Sequence, residues 1–295
     1  MKGSSSAVRH SRLSLKAPAK INWFLGVGGK RADGYHDITS LMQCISLCDT
    51  LTFDNADSIS VTSDLAVPVR DNLVYKAASV LKEYTSFGKG ADILLKKSVP
   101  VSAGLGGGSS DAAYTLLGLN ELWGLGLSRN RLSAIASEIG SDVPFFLSGP
   151  AALVEGRGEK TIRVKIGSSV ALLLVKPAVT VSTAWAYTDF DRMSRNRGEL
   201  TKKVVDIKLF CRALTRKDFS SLGNMLFNDL EEIVAEKYPV VMEIKLRLIE
   251  QGAFFAAMSG SGPTIFGVFG SAEAAEKAAG RMGNHLCRVV ETLVA

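Results

Sequence analysis

The sequence predicts an α+β protein of two domains, and three observations carry that prediction. The first half opens on long stretches rich in β-formers. From DNLVYKAASVLKEY onward the apolar period lengthens from two towards 3.6, so helices begin to alternate with strands. The second half, with its inserted helices set aside, runs β-α-β-β-α-β, the split ferredoxin-like order. Gly167-Ser168-Ser169 is the natural joint. The expected division is therefore a disordered basic tail over 1–12, a first domain over 13–167 and a second over 168–295.

In chain order, RLSLKAP and INWFLGV read as strand stretches, followed by HDITSLMQCISLCDTLTF and the short SISVTS. In DNLVYKAASVLKEY, Asp71 or Asn72 offers a cap, and Leu73, Ala77, Val80, Leu81 and Tyr84 share one helical face. ADILLKK is a strand running into PVSAGLGGGSSDAA. The next helix, SSDAAYTLLGLNELWGL, carries Ala112, Leu116, Leu119 and Trp123 as its stripe. SRNRLSAIASEIG is a further helix ending at Gly140, before the apolar run SDVPFFLSG. AALVEG and KTIRVKI are strands. Beyond the joint come the strand VALLLVKP and helices over KKVVDIKLFCRAL, NMLFNDLEEIVAE and VVMEIKLRLIEQG. The strand AFFAAM, the turn SGSGPT, the strand IFGVF, the helix AEAAEKAAGRMG and the strand LCRVVETLV complete the order. RMSRNRGELTKK, over 192–203, reads as a basic loop that is either solvated or borders an anionic ligand. No repeat of 20–50 residues is present.

Composition narrows the classes. Of 295 residues, 46% are hydrophobic and 22% charged, enough for a sizeable core. No run approaches 18 apolar residues, so a membrane span is not expected. Four of the six net positive charges come from Lys2, Arg9, Arg12 and Lys16 in the first sixteen residues, a solvated start or a point of contact for nucleic acid. The interleaved aromatic and basic residues of a nucleic-acid face are not found, and no such partner is expected. No apolar core follows the charges, so no secretory signal is read and the cytoplasm is the default location. Cys44 and Cys48 stand four apart without a second pair, and the chain has only three histidines. Metal binding through sulfur or imidazole is not expected; Cys44, Cys48, Cys211 and Cys287 read as reduced, mostly buried thiols.

The chemistry gathers at residues 100–113. Glycine permits positive φ and removes side chains, so successive N–H groups can converge on one guest. The following helix adds unpaired N–H groups and the positive end of its dipole. Gly104, Leu105, Gly106, Gly107 and Gly108, with the hydroxyls of Ser109 and Ser110, therefore make a phosphate cradle. Asp111 is placed to cap the helix or to approach a cation. The stretch is not a Walker A loop, because GxxxxGK[ST] occurs nowhere, and the spacing of GxGxxG fails. Two further clusters stand out. Lys20 and Asn22 share one face of an extended segment, and Asp142 lies between a helix end and an apolar run. A buried carboxylate needs a partner, for which Lys20 is one candidate; a surface lysine is the alternative.

PVSAGLGGGSSDAA resembles the second, phosphate-binding motif of the GHMP kinases (galactokinase, homoserine kinase, mevalonate kinase, phosphomevalonate kinase). APAKINWFLGVGGKRADGYHDITSLMQ, DNLVYKAA, IGSDVPFFLSGPAALVEGRGE and MSGSGPTIFGVF extend the resemblance from Ala17 to Phe269. APAKIN, RADGYH and SDVPFF narrow it to the branch whose acceptor is a cytidine diphosphate-linked polyol. The resemblance implies a ribosomal S5 domain-2-like first domain, a ferredoxin-like second domain and a cleft between them. It implies ATP-dependent phosphorylation of the 2-hydroxyl of a methylerythritol unit, on the non-mevalonate route to isoprenoid precursors, with Mg2+ expected beside ATP and its ligands unknown. It makes Asp142 the base and Lys20 the cation that keeps it ionised. Asn72 and Leu73 fall where the family's adenine pocket lies, with Lys97 at its border. Tyr35 and Tyr187 would stack the cytosine, His36 would bond its edge, and Asn22 would join the substrate side. Thr183 would approach the substrate phosphates, and Ser261 and Gly262 of SGSGPT would shape the acceptor side. Other acceptors such as mevalonate or homoserine, or a non-catalytic nucleotide-binding regulator, remain as alternatives.

Overall fold

The computed structural model describes residues 12–64, 68–197 and 205–294. The basic tail through residue 11 lies outside the described residues, as does 198–203 of the expected basic loop. β1 (Leu13–Lys30) and β2 (His36–Ala56) form a long antiparallel hairpin around the RADGY turn. The two stretches RLSLKAP and INWFLGV are thus one strand. Pro18 does not end it, because it sits at a register shift where a missing N–H is tolerated. β2 is the spine of the first sheet. β1 runs along one edge, while the other takes β4 (Gly90–Lys96) against residues 50–56 and β5 (Ala151–Gly156) against 38–43. β3 (Ser60–Ser63) joins β4 in parallel and β6 (Lys160–Arg163) closes on β5.

The helices α1 (Leu73–Thr85), α2 (Gly107–Leu122), α3 (Arg129–Ile139) and the single turn α4 (Phe145–Ser148) share a core with this sheet. Asn72 caps α1 by accepting the Val74 N–H at 2.9 Å. The buried face of α1 is Val74, Ala77, Ala78 and Leu81; Tyr84 instead points outward under the Arg131 guanidinium, 5.9 Å from its ring centroid. Along α2, Ala112, Leu116, Leu119 and Trp123 are buried as the spacing requires. α2 starts at Gly107, two residues before the serines.

The second sheet has the antiparallel order β10-β7-β9-β8, built from β7 (Ala171–Lys176), β8 (Phe255–Met258), β9 (Ile265–Phe269) and β10 (Leu286–Glu291). Between β7 and β8 come α5 (Thr183–Arg197), α6 (Ile207–Arg216), α7 (Glu231–Lys237) and α8 (Val240–Glu250); α9 (Ala272–Ala279) links β9 to β10. Stripped of α5 to α7, this is the ferredoxin-like order, and the whole is a two-domain α+β fold. Two segments differ from expectation. α5 occupies Thr183–Arg197, so the basic stretch begins as helix. NMLFNDLEEIVAE begins in a 3-10 helix ending at Met225 and is α-helical only from Glu231, because residues 227–229 are diverted to β1. There the Leu25 N–H meets Phe227 C=O and the Asp229 N–H meets Leu25 C=O, both at 2.9 Å.

The two sheets share apolar residues. Ile21, Trp23, Leu41 and Ile45 pack with Leu172, Leu174, Phe210 and Phe266 in one buried cluster. Trp23 meets Phe266 and Phe210 edge-on at 5.9 and 6.3 Å, and its indole N–H donates to Gln43 Oε1 at 2.7 Å. Gln43 in turn donates to Leu293 C=O at 2.8 Å. Among the described residues no helix is long and apolar enough to cross a membrane.

Candidate active site

The cradle is assembled by β1 and by the turn between β8 and β9. The Lys20 N–H holds Leu105 C=O at 2.9 Å, and Ser259 Oγ donates to Gly104 C=O at 2.9 Å. Gly104 and Gly106 adopt φ of 74° and 68°. A Cβ on Gly104 would stand 2.0 Å from Ser259 C=O, so glycine is obligatory there. Gly106 is the N-cap of α2 and offers no side chain to close the helix end. The first helical bond is Ser110 N–H to Gly106 C=O at 2.9 Å. The N–H groups of Gly107, Gly108 and Ser109 precede it, and these residues line a cavity of ≈ 1180 Å³. Ser110 lies outside this lining: it is fully buried and its hydroxyl has no partner among the described residues.

Lys20 threads under this loop. Its Cγ would lie 3.0 Å from a Cβ on Gly106, and its Nζ the same distance from one on Gly260. Nζ donates to Asn22 Oδ1 at 2.6 Å; Asn22 donates to Ser40 Oγ at 2.7 Å, which donates to Phe24 C=O at 2.6 Å. This relay gives the buried ammonium one acceptor that is not a carboxylate. Burial lowers the Lys20 pKa, and the field of nearby Asp142 partly opposes that shift. Asp142 is half-buried on the cavity wall and makes no ion pair with Lys20. It follows the end of α3 at Gly140, and Gly158, at φ 120°, leaves room beside its Oδ1.

Lys97 is drawn from the adenine border to the root of the cradle. Its ammonium donates to Asp111 Oδ2 at 2.7 Å and to Asp49 Oδ2, and it would lie 3.2 Å from a Cβ on Gly107. Asp49 Oδ1 accepts the N–H groups of Ser98 and Val99 at 2.6 and 2.8 Å. Burial drives the Asp111 pKa up to about 7; Lys97 opposes the rise and Asp49 adds to it. Asn72 and Leu73 line the same cavity, and a Cβ on Gly108 would be 3.4 Å from Leu73 Cδ1.

At the far end Tyr35 is exposed at the tip of the hairpin, with the Arg157 guanidinium 5.3 Å from its ring centroid. Arg157 is itself held by Ser137 C=O at 3.0 Å. Tyr35 and Tyr187 both line the cavity, yet Tyr187 stacks on His36, with centroids 5.2 Å apart and planes at 24°. Burial, with a smaller contribution from Asp142, raises the Tyr187 pKa. Thr183 and Ser261 meet through their hydroxyls at 2.8 Å. Gly262 takes φ of 81° and donates its N–H to Ser259 C=O at 3.0 Å.

All the residues singled out in the sequence except Ser110 line this one cavity. Sequence reasoning missed Asp49, Ser40, Arg157 and Asp191. An acid inside the apolar run CISLCDTLTF was the available signal for Asp49, and an arginine between two glycines that for Arg157. Among the described residues no group of three His, Cys, Asp or Glu side chains is placed to hold a metal ion. Asp111, in the first turns of α2, shares the single Lys97 ammonium with Asp49.

Comparison with known proteins gives the arrangement its relatives. The family model for the GHMP kinases N terminal domain matches residues 72–150, and that for GHMP kinases C terminal matches 210–287. A 4-diphosphocytidyl-2-C-methyl-D-erythritol kinase of Thermodesulfovibrio yellowstonii is 48% identical over 282 residues, covering 96% of this chain and 98% of its own. One from Geobacter metallireducens is 44% identical, covering 92% and 94%. Among solved structures, a 4-(cytidine 5'-diphospho)-2C-methyl-D-erythritol kinase superposes with a TM-score of 0.82 at 31% identity, over 96% of this chain and 100% of that one. A homoserine kinase from Cytophaga hutchinsonii, at 20% identity and a TM-score of 0.72 over 100% and 97%, shares the fold. With relatives this similar along nearly its whole length, the chain belongs to the 4-diphosphocytidyl-2-C-methyl-D-erythritol kinase family of the GHMP kinases.

Proposed function

We propose that this chain transfers the γ-phosphoryl group of ATP to the 2-hydroxyl of 4-diphosphocytidyl-2-C-methyl-D-erythritol. The observation that carries the reading is a single cavity whose wall joins the peptide cradle, Lys20 within the field of Asp142, and the His36–Tyr187 stack. ATP lays its phosphates on Gly104–Ser109 and its adenine near Asn72 and Leu73. Lys97 lies behind the cradle beside Gly107, its ammonium shared by the carboxylates of Asp49 and Asp111. Asp142 takes the hydroxyl proton as the acceptor oxygen attacks, and Lys20 stabilises the charge passing through the transition state. A loose phosphoryl-transfer transition state leaves positioning and electrostatics as the chief contribution of the protein. Thr183, Ser261, Gly262 and Asn22 border the acceptor, and Tyr35, His36 and Tyr187 receive the cytosine. Among the described residues no three acidic, histidine or cysteine side chains gather into a metal site. A magnesium ion accompanying ATP would be held mainly by phosphate oxygens and water, where it would neutralise the charge of the phosphates. Residues 13–167 and 168–295 are proposed as the two domains that flank the ligands.

The test is coupled ADP release with a panel of acceptors, run on the wild type and on Asp142→Asn. Turnover is expected with the cytidine diphosphate substrate and little with mevalonate or homoserine; the reverse order would overturn the acceptor. Asp142→Asn is expected to bind ATP as tightly as wild type and to lose at least about a hundredfold in kcat, the scale of a positioned base. Normal turnover by that variant would remove Asp142 from its role.

A further inference from the structure

The His36 side chain belongs to a network whose charged members, Asp191 and Lys30, have no part in the proposed reaction. His36 opens β2, and its Nε2 lies 2.5 Å from Asp191 Oδ1 on α5. The other oxygen of Asp191 accepts from the Lys30 ammonium at 2.8 Å. Tyr187, one helical turn before Asp191, covers the face of the imidazole, and Phe190 meets it edge-on at 6.2 Å. Two residues of one helix face thus grip the same ring, one by its plane and one by its nitrogen. Nδ1 has no hydrogen-bond partner among the described residues, and His36 lines the cavity.

We infer that Asp191 is a specificity-determining positioning residue, which fixes the imidazole of His36 as the Nε2–H tautomer so that its Nδ1 lone pair selects an amino-bearing pyrimidine over a keto one. The inference rests on the reading that this end of the cavity receives the base.

A neutral imidazole has one donor and one acceptor nitrogen, and the partner of the first decides the identity of the second. Asp191 is an ionised acceptor and can only receive, so the proton stays on Nε2. Burial pushes the Asp191 pKa up, but the hydrogen bonds from Lys30 and His36 outweigh it and hold the pKa below the ordinary aspartate value. Lys30 occupies the second oxygen and so anchors the carboxylate against the Nε2 edge of the ring. An acceptor at Nδ1 accommodates the 4-amino group of cytosine. It opposes the 4-keto oxygen of uracil, where two lone pairs would face each other.

The experiment uses the whole chain and two substrates that differ only in the base, cytidine or uridine. Long-range 1H–15N spectra read the His36 tautomer directly, and with three histidines in the sequence its signals are readily isolated. Wild type is expected to show Nε2–H alone and Asp191→Ala a mixture of tautomers. The cytidine-to-uridine ratio of kcat/KM is expected to fall at least about tenfold in Asp191→Ala, with the loss carried mainly by KM. An unchanged tautomer, or an unchanged ratio, in Asp191→Ala would overturn the inference. His36→Ala separates this from the underlying reading. If His36→Ala collapses the ratio and Asp191→Ala does not, the base pocket stands and the role of Asp191 falls. If His36→Ala also leaves the ratio intact, the base is not read here and both fall.

Discussion

Asp111 combines deep burial with a single cationic neighbour shared with Asp49, so its proton is held more tightly in the folded chain than in the unfolded one. The sign follows from the raised pKa. Between the ordinary value of 3.8 and about 7 the folded state keeps a proton that the unfolded state releases, so the stability contributed by this group falls as pH rises through that window. Asp111→Asn, which can still accept from Lys97, is expected to flatten that slope. Thermal melts at about pH 5 and about pH 8 would show wild type losing more stability than the variant between the two conditions. Equal losses would mean that the proton resides elsewhere. The same arithmetic explains why the side chain was hard to place from sequence. Its partners Asp49 and Lys97 come from β2 and from the end of β4, and 48 residues separate the two.

The glycine loop is an element whose conformation is its function. Gly106 holds a left-handed φ of 68°, and an added Cβ would sit 3.0 Å from both Lys20 Cγ and Phe146 Cζ. Gly106→Ala therefore strains the backbone by about 1–2 kcal/mol and displaces the lysine beneath. The expected outcome is a loss of at least about tenfold in kcat/KM for ATP, since the N–H groups no longer converge. Gly88→Ala, where the new methyl meets nothing within 4 Å, is the control and is expected to leave ATP kinetics alone. If the two variants behaved alike, the cradle would not be the phosphate site. This loop, the strands and most helices were legible because each is written locally: glycines bracketed by a strand and a helix, alternation in strands, stripes along α1 and α2. α5 was not, because Trp185, Tyr187 and Phe190 are β-formers and no clear stripe marks it. The span 227–229 was not, because β1 captures a segment of helical composition through backbone bonds from Leu25, two hundred residues away in sequence. The types of the site residues were visible. Their mutual support, from Ser40 under Asn22 and from Arg157 over Tyr35, depends on which strands become neighbours.

At the scale of the molecule, the two sheets are welded by Trp23. It is fully buried, packed edge-on against one ring from α6 and one from β9, and bonded to Gln43. Trp23→Ala is expected to cost about 3–5 kcal/mol. Because the lost contacts belong to both sheets, chemical denaturation is expected to show both halves unfolding in one earlier transition. Two separated transitions in the wild type would contradict so intimate a junction. The bond from Gln43 to Leu293 spans 250 residues. A ribosome making this polypeptide delivers the greasy underside of the first sheet, with Trp23, Ile21 and Leu41, long before its cover of Leu172, Phe210 and Phe266 emerges. For most of its synthesis the nascent chain carries a sticky surface that only its own later portion can shield, so the speed of translation and the availability of chaperones bear directly on its yield.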